Sequence, residues 1–316
     1  MSNQKQMRIV TLTVNPAIDT TLGAKQVKPE HKLRCRLRNT EPGGGGLNVS
    51  RAIRRLGGDS LALYTHGGAY GRMLQSLLGE EGVSHKPVSI SGLTRENIMV
   101  QEDTSTQQFR FTLPGPEMTE EDWNSVLNAL DTLRAEPEYL VLSGSLSPGM
   151  PKNFYARCAE IVKTKGTKVI LDTSRQALTQ GIGSGVFIVK PNLRELSKLA
   201  DRELTSEQDQ EDAAKELIQQ NKAKHVLVSL GAAGALWVKA DTVQRLRTPT
   251  VPVKSKVGAG DSMVAGLVLA LARGEDLYPA IQFGIAASAA AVMTPGSELC
   301  RKEDTEELFN RLMEKS

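Results

Sequence analysis

From residue 139 onward, short apolar runs alternate with stretches of helical periodicity in strict order. Residues 139–142, 168–171, 186–189 and 225–230 read as strands. Segments 152–165, near Arg175, and 193–200 read as the helices between them. Consecutive strands separated by helices pair in parallel and are covered on both faces, which confines the chain to a three-layer α/β fold with a mostly parallel central sheet. The C-terminal part continues as Ala-rich helix over 260–272, 277–293 and 302–315. Nearer the N-terminus, 8–14 and 60–65 read as strands. A helical pattern starts after Gly46 and stops at Gly57-Gly58, and another spans 69–78. Two stretches break the rhythm, about 17–39 and 85–113. They are rich in strand pattern and poor in helix, and they predict one small β-sheet standing off a single domain spanning 1–316.

Three segments carry chemistry. Val257-Gly258-Ala259-Gly260-Asp261-Ser262 runs straight into an apolar helix. Glycines there let an anion approach free backbone N–H groups, and the helix dipole adds partial positive charge. A carboxylate does not bind phosphate, so Asp261 reads as a base facing an attacking hydroxyl; its plainer reading is an N-terminal cap. Pro42-Gly43-Gly44-Gly45-Gly46-Leu47-Asn48 brings backbone against something that side chains would exclude, with Asn48 able to donate and accept, or it is a flexible hairpin. Lys190-Pro191-Asn192-Leu193-Arg194-Glu195 follows a strand. Asn192 and Glu195 share a helix face and suit a hydrated Mg²⁺, or they are a capping box. Ser229-Leu230-Gly231-Ala232-Ala233-Gly234 reads as a hairpin turn or a loop packing on a nucleotide. No Walker A or G-x-G-x-x-G pattern is present.

Composition narrows the partners. The 39 basic and 36 acidic residues give a net charge of +3 with no basic run, and aromatics are 4%; neither fits a nucleic-acid surface. The three cysteines are scattered and odd in number, and the four histidines are scattered as well. This predicts a reducing compartment and no structural zinc. Met1 to Met7 is polar, and no run of about 18 apolar residues occurs, so a soluble cytoplasmic protein without membrane contact is expected.

Taken together and in order, these motifs resemble the ribokinase-like carbohydrate kinase family over essentially the whole chain. Thr13-Val14-Asn15-Pro16-Ala17-Ile18-Asp19 and Ser143-Gly144-Ser145-Leu146-Ser147-Pro148-Gly149 look like its phosphosugar branch. Leu33-Arg34-Cys35, Glu41 to Gly46 without a lysine among the glycines, Leu93-Thr94-Arg95 and Leu299-Cys300 resemble the ribokinase-type 6-phosphofructokinases of bacteria. The 1-phosphofructokinases and tagatose-6-phosphate kinases are the alternative, and a non-catalytic sugar-phosphate sensor a more distant one.

The resemblance implies ATP-dependent phosphorylation of fructose 6-phosphate with Mg²⁺. Asp261 would be the general base, and the amides of Gly258, Ala259 and Gly260 the anion hole. Asp19, Gly44, Gly45, Asn48 and Ser145 would contact the sugar, with Arg95 and a nearby Lys32 on its phosphate. Lys190, Asn192, Ser229, Gly231 and Gly234 would lie along ATP, with Asn192 and Glu195 reaching Mg²⁺ through water. It further implies that the small sheet of 17–39 and 85–113 is a lid over the sugar and the interface of a homodimer, and a monovalent-cation site in segments containing Ser255, Val257, Ala291 and Gly296. Lys256 and Glu298 depart from the family pattern there. If they meet, the lysine takes over the ion's role and K⁺ becomes dispensable.

Overall fold

In the computed structural model, which describes residues 8–105, 107–183, 185–296 and 298–314, alternate residues of the central strands feed two separate cores. Met1 to Met7 and Lys315 lie outside these residues. Strand β1 (Ile9–Thr13) sends Ile9 to one face and Val10 and Leu12 to the other. Strand β8 (Tyr139–Ser143) likewise splits Tyr139 and Val141 from Leu140 and Leu142. Period-two alternation with both faces apolar is the signature of a sheet sandwiched between helices.

Nine strands form that sheet. Besides β1 and β8 they are β4 (Leu61–His66), β5 (His85–Ser89), β9 (Lys168–Asp172), β10 (Val186–Val189), β11 (His225–Ser229), β12 (Ala235–Lys239) and β13 (Thr242–Leu246), in the order β13-β12-β11-β10-β9-β8-β1-β4-β5. Only β12 runs against its neighbours. The chain leaves β1 toward β4 and β5, then returns to β1's other side through β8. Ligands of open α/β sheets bind at such a reversal, beyond the strands' carboxyl ends. The carboxyl ends here carry Thr13, Ser143, Asp172, Val189 followed by Lys190, and Ser229.

A second, four-stranded sheet has the order β3-β2-β6-β7, from β2 (Ala17–Ala24), β3 (Cys35–Gly43), β6 (Arg95–Glu102) and β7 (Gln108–Thr112). The expected extent of 85–113 needs correction at its start, because β5 (His85–Ser89) pairs in parallel with β4 and is the edge strand of the main sheet. Val88 on it is buried, and that apolar contact draws the segment to the large core.

Helices α1 (Gly45–Arg55), α8 (Ala259–Ala272), α9 (Leu277–Val292) and α10 (Lys302–Met313) cover one face of the main sheet. On the other lie α3 (Glu120–Asp131), α4 (Phe154–Lys163), α5 (Arg175–Gly181), α6 (Leu193–Ala200) and α7 (Glu207–Gln219). Helix α2 (Gly68–Glu80) packs Leu74 and Leu78 against Ile18, Leu47 and Tyr64. Helices α8 and α9 are apolar all round because they are buried all round. Cys158 and Cys300 are buried thiols and Cys35 an exposed one. No helix among the described residues is long and apolar enough to cross a membrane.

Candidate active site

Helix α8 begins at the mouth of the sheet with a residue only glycine fills comfortably. Gly258 has φ +74°, and a Cβ there would sit 2.7 Å from Leu299 Cδ2. This sharp entry leaves the first N–H groups of α8 free to face the cleft, since intrahelical bonding starts with Ser262 N donating to Gly258 O. Asp261 stands in the first turn, and its Oδ2 accepts from Asn48 Nδ2 at 2.9 Å. Burial, reinforced by the charges of Asp172 and Asp19 and opposed by Asn48 and Lys190, pushes its pKa up to about 6. A base needs its carboxylate ionised, so kcat/KM is expected to fall tenfold per pH unit below about 6 and to be level above it. A profile still flat at pH 5 would exclude Asp261 from that role.

The glycine run packs against Asp19, Thr13 and Ser143. Gly44, at φ +118°, caps α1, and a Cβ on Gly45 would fall 2.3 Å from Ser143 Oγ. A Cβ on Gly43 would overlap the Asp19 carboxylate, so close approach rather than hairpin flexibility explains these residues. Asp19 Oδ1 accepts from Asn97 Nδ2 at 2.8 Å; burial raises its pKa against the pull of Asn97, Arg95 and Arg51. Arg95 donates to Leu113 O at 2.6 Å and to Asn15 O at 3.0 Å, and Asn15 Nδ2 reaches Ser145 Oγ at 3.3 Å. Four buried polar atoms here lack any partner among the described residues: Thr13 Oγ1, Asn15 Oδ1, Arg95 Nε and Asn97 Oδ1. Buried polar groups are rarely left so, and four on the end of β1, the loop after it and the start of β6 mark a place where a polar ligand completes the bonding.

Sequence reasoning placed Lys32 beside Arg95, and the fold separates them. Arg95 pairs with Ala17 at one end of β2, whereas Lys32 lies in the exposed loop beyond Ala24 at the other. Seven residues of strand put about 23 Å between those ends. A basic tip of Lys25, Lys28, Lys32 and Arg34 forms there instead.

Beyond β9 and β10, Lys190 is buried and bonds Asp172 Oδ1 at 3.0 Å. Burial alone would depress its pKa, but Asp172, then Glu195 and Asp261, outweigh that and hold the ammonium charged. The nitrogen also comes within 3.6 Å of where a Gly260 Cβ would stand. Asn192 and Glu195 do form the capping box of α6: Asn192 Oδ1 accepts from Glu195 N at 3.0 Å, and Glu195 Oε2 from Asn192 N at 2.9 Å. The other Glu195 oxygen is uncommitted in that box, and burial, with Asp172's charge, raises the group's pKa. Three carboxylates (Asp172, Glu195 and Asp261) thus share one buried lysine. Ser229 to Gly234 is indeed a hairpin turn between β11 and β12, and it also lines a cavity. This cavity of ≈ 440 Å³ is walled by Ser229, Gly231, Gly234, Val251, Ile285 and Gly260.

The supposed Lys256–Glu298 pair is not formed. Glu298 Oε1 accepts from Arg301 Nε at 2.8 Å, three residues along its own segment, while exposed Lys256 lines the 440 Å³ cavity as its only charged wall residue. Ser255 Oγ donates to Gly296 O at 2.5 Å and accepts from Val257 N at 3.2 Å. That hydroxyl staples the two segments expected to hold a cation, and Thr294 Oγ1 donates to Ala291 O at 2.7 Å within the second of them.

Sequence reasoning missed Asp172, Asn97 and Arg51. Asp172 had a positional signal, the carboxyl end of a parallel strand. Arg51 is fully buried; it bonds Glu81 at 2.6 Å, Glu41 at 3.1 Å and Pro42 O at 2.8 Å, anchoring the approach to the glycine run. Only the folded chain reveals that.

Comparison with known proteins bears on this arrangement. The pfkB family carbohydrate kinase model matches residues 8–304. An ATP-dependent 6-phosphofructokinase isozyme 2 of Mycobacterium tuberculosis is 42% identical over 96% of this chain and 89% of its own. A 1-phosphofructokinase of Bacillus subtilis is 30% identical over 95% and 97%. The crystal structure of phosphofructokinase-2 from Escherichia coli in complex with potassium superposes with a TM-score of 0.93 at 39% identity, covering 97% of this chain and 99% of that one. With a family model over nearly every residue, and relatives alike from end to end, the chain belongs to the pfkB family of carbohydrate kinases.

Proposed function

We propose that the protein transfers the γ-phosphoryl group of ATP to the C1 hydroxyl of fructose 6-phosphate, giving fructose 1,6-bisphosphate and ADP. The observation that carries the mechanism is Asp261, held by Asn48 at the free N–H end of α8 with its pKa raised toward neutrality. Its carboxylate takes the hydroxyl proton as the oxygen attacks, while the amides of Gly258, Ala259 and Gly260 stabilise charge on the transferring group. Asp19, Asn97, Ser145 and the amides of Gly44 and Gly45 orient the sugar hydroxyls. Arg95 Nε supplies a charged donor to its phosphate. The greater identity to the 6-phosphofructokinase than to the 1-phosphofructokinase supports the choice of sugar phosphate.

The 440 Å³ cavity takes the nucleotide, its apolar wall against the base and Gly260 toward the phosphates. Mg²⁺ fits the excess of carboxylates around Lys190. Glu195 would hold it there through water, and it would neutralise phosphate charge during transfer. Lys256 adds a cation to the same wall. Lys256→Thr is accordingly expected to raise the KM for ATP about five- to tenfold, an effect that fades with salt, and to leave the KM for fructose 6-phosphate within twofold. An unchanged ATP KM at low salt would show that this lysine faces away from the phosphates. With Lys256 so directed and Glu298 paired to Arg301, nothing among the described residues replaces the monovalent ion, and activation by K⁺ follows.

The four-stranded sheet serves as a lid that keeps water from the phosphoryl group. Its edge strands expose Leu37 (66%) and Phe111 (55%), surface that a second copy of the chain covers in a homodimer. The activity is tested by a coupled assay. Fructose 1,6-bisphosphate and ADP are expected in equal amounts from fructose 6-phosphate and Mg-ATP, and ADP release without bisphosphate would overturn the reading.

A further inference from the structure

A fifth buried polar atom without a partner lies far from the strands of the sugar site. It is Oε1 of Gln282, in the middle of α9. The residue is 4% exposed and sits among alanines, isoleucines and phenylalanine on an otherwise apolar helix. Its Nε2 bonds the hydroxyl of Tyr278, one turn earlier, at 3.1 Å. Turning the amide over changes which atom meets the tyrosine and leaves the other unpartnered all the same. Burying an amide half-satisfied costs free energy, and it persists where something outside the chain completes the bonding.

Gln282 and Tyr278 line a cavity of ≈ 550 Å³, within the range that holds small metabolites. Three arginines share its wall. Arg245 is committed to Glu211 and Glu207 of α7. Arg247 and Arg311 are exposed and have no side-chain partner among the described residues. No acidic residue lines the cavity. Guanidinium forks match phosphate oxygens in pairs, and a Gln–Tyr pair suits a hydroxyl that both donates and accepts.

We infer that this cavity is a second ligand site, taking the phosphate ester of a small hydroxylated molecule with its phosphate on Arg247 and Arg311 and a hydroxyl on Gln282. The segment Thr248, Pro249 and Thr250 lines both this cavity and the 440 Å³ cavity. An occupant therefore bears on the strap that walls the nucleotide site, and binding at the two is coupled, each ligand changing the other's affinity by the same factor.

The test is calorimetric titration at 0.15 M salt of the full chain, counting the binding that Arg247→Ala/Arg311→Ala alters. Glucose 6-phosphate and inorganic phosphate are the probes. Glucose 6-phosphate is expected to bind one equivalent per chain, more tightly than inorganic phosphate. Arg247→Ala/Arg311→Ala, two surface changes outside the catalytic groups, should weaken both probes at least tenfold with basal activity unchanged. Gln282→Leu should abolish the preference for the sugar phosphate without lowering Tm. Absence of saturable binding, equal binding by the double variant, or glucose 6-phosphate no tighter than inorganic phosphate would each overturn the inference. A shift in the KM for ATP with glucose 6-phosphate, absent in the double variant, reports the coupling. That readout rests on the kinase reading and the titration does not, so failures of the two are distinguishable.

Discussion

Asp261→Asn is expected to lower kcat by roughly 10²–10⁴ while leaving the affinities for ATP and fructose 6-phosphate within about threefold. The amide keeps the side chain's size and its bond to Asn48 but cannot take a proton. The free N–H groups of α8 are untouched, so phosphate binding should persist. Stability should move the other way. Burial raises the folded-state pKa of Asp261 above its ordinary value, so the folded chain holds that proton more tightly than the unfolded chain does. This group's stabilising contribution is therefore full at low pH and is lost as pH rises through about 6. At pH 8 the buried carboxylate is a liability, and the neutral amide should raise Tm. A variant keeping more than about a third of wild-type kcat would remove Asp261 from the role of base.

Lys190→Met is the second large effect. The lysine is 5% exposed and bonds Asp172 at 3.0 Å. Removing one member of a buried pair strands the other charge, at a typical cost of about 3–5 kcal/mol. The catalytic signature separates this from general damage. Lys190 lowers the pKa of Asp261, so without it the acid limb of kcat/KM should move to higher pH than in the wild type. Restoring partial neutrality with Lys190→Met/Asp172→Asn should recover much of the stability and bring the limb back down, because Asp172 raises that pKa. An acid limb unmoved in the single variant would mean that the lysine and Asp261 do not interact.

The parts of the fold that were legible were those where local pattern and tertiary role coincide. Strands β8 to β11 are apolar on both faces, which only a covered parallel sheet explains. The entry to α8 was legible because Gly-Ala-Gly-Asp before an apolar helix is chemically odd unless an anion comes there. Helices α3 and α7 escaped notice because each buries few residues: Val126 and Leu130 with Asp122 in one, Ala213, Ala214 and Leu217 in the other. Their capping boxes, Thr119 with Asp122 and Ser206 with Asp209, were the available signal. Of the candidate site, the glycines, Asn48 and Asp261 stood out by residue type, and Asp19 only through the family resemblance. Partners set by long-range packing did not. Nothing local says that Asp172 faces Lys190, that Asn97 holds Asp19, that Arg301 takes Glu298, or that Lys32 lies a strand's length from Arg95.

The central claim is a choice of sugar phosphate as well as a mechanism, and one comparison reaches both. It is kcat/KM for fructose 6-phosphate, fructose 1-phosphate and tagatose 6-phosphate, measured side by side with saturating Mg-ATP. In the proposed arrangement Arg95 takes the existing phosphate and Asp261 the attacking hydroxyl. Fructose 6-phosphate is therefore expected to exceed fructose 1-phosphate by at least about 10²-fold, or roughly 3 kcal/mol of transition-state binding, with tagatose 6-phosphate below it as well. Equal or higher kcat/KM for fructose 1-phosphate or tagatose 6-phosphate would contradict the account.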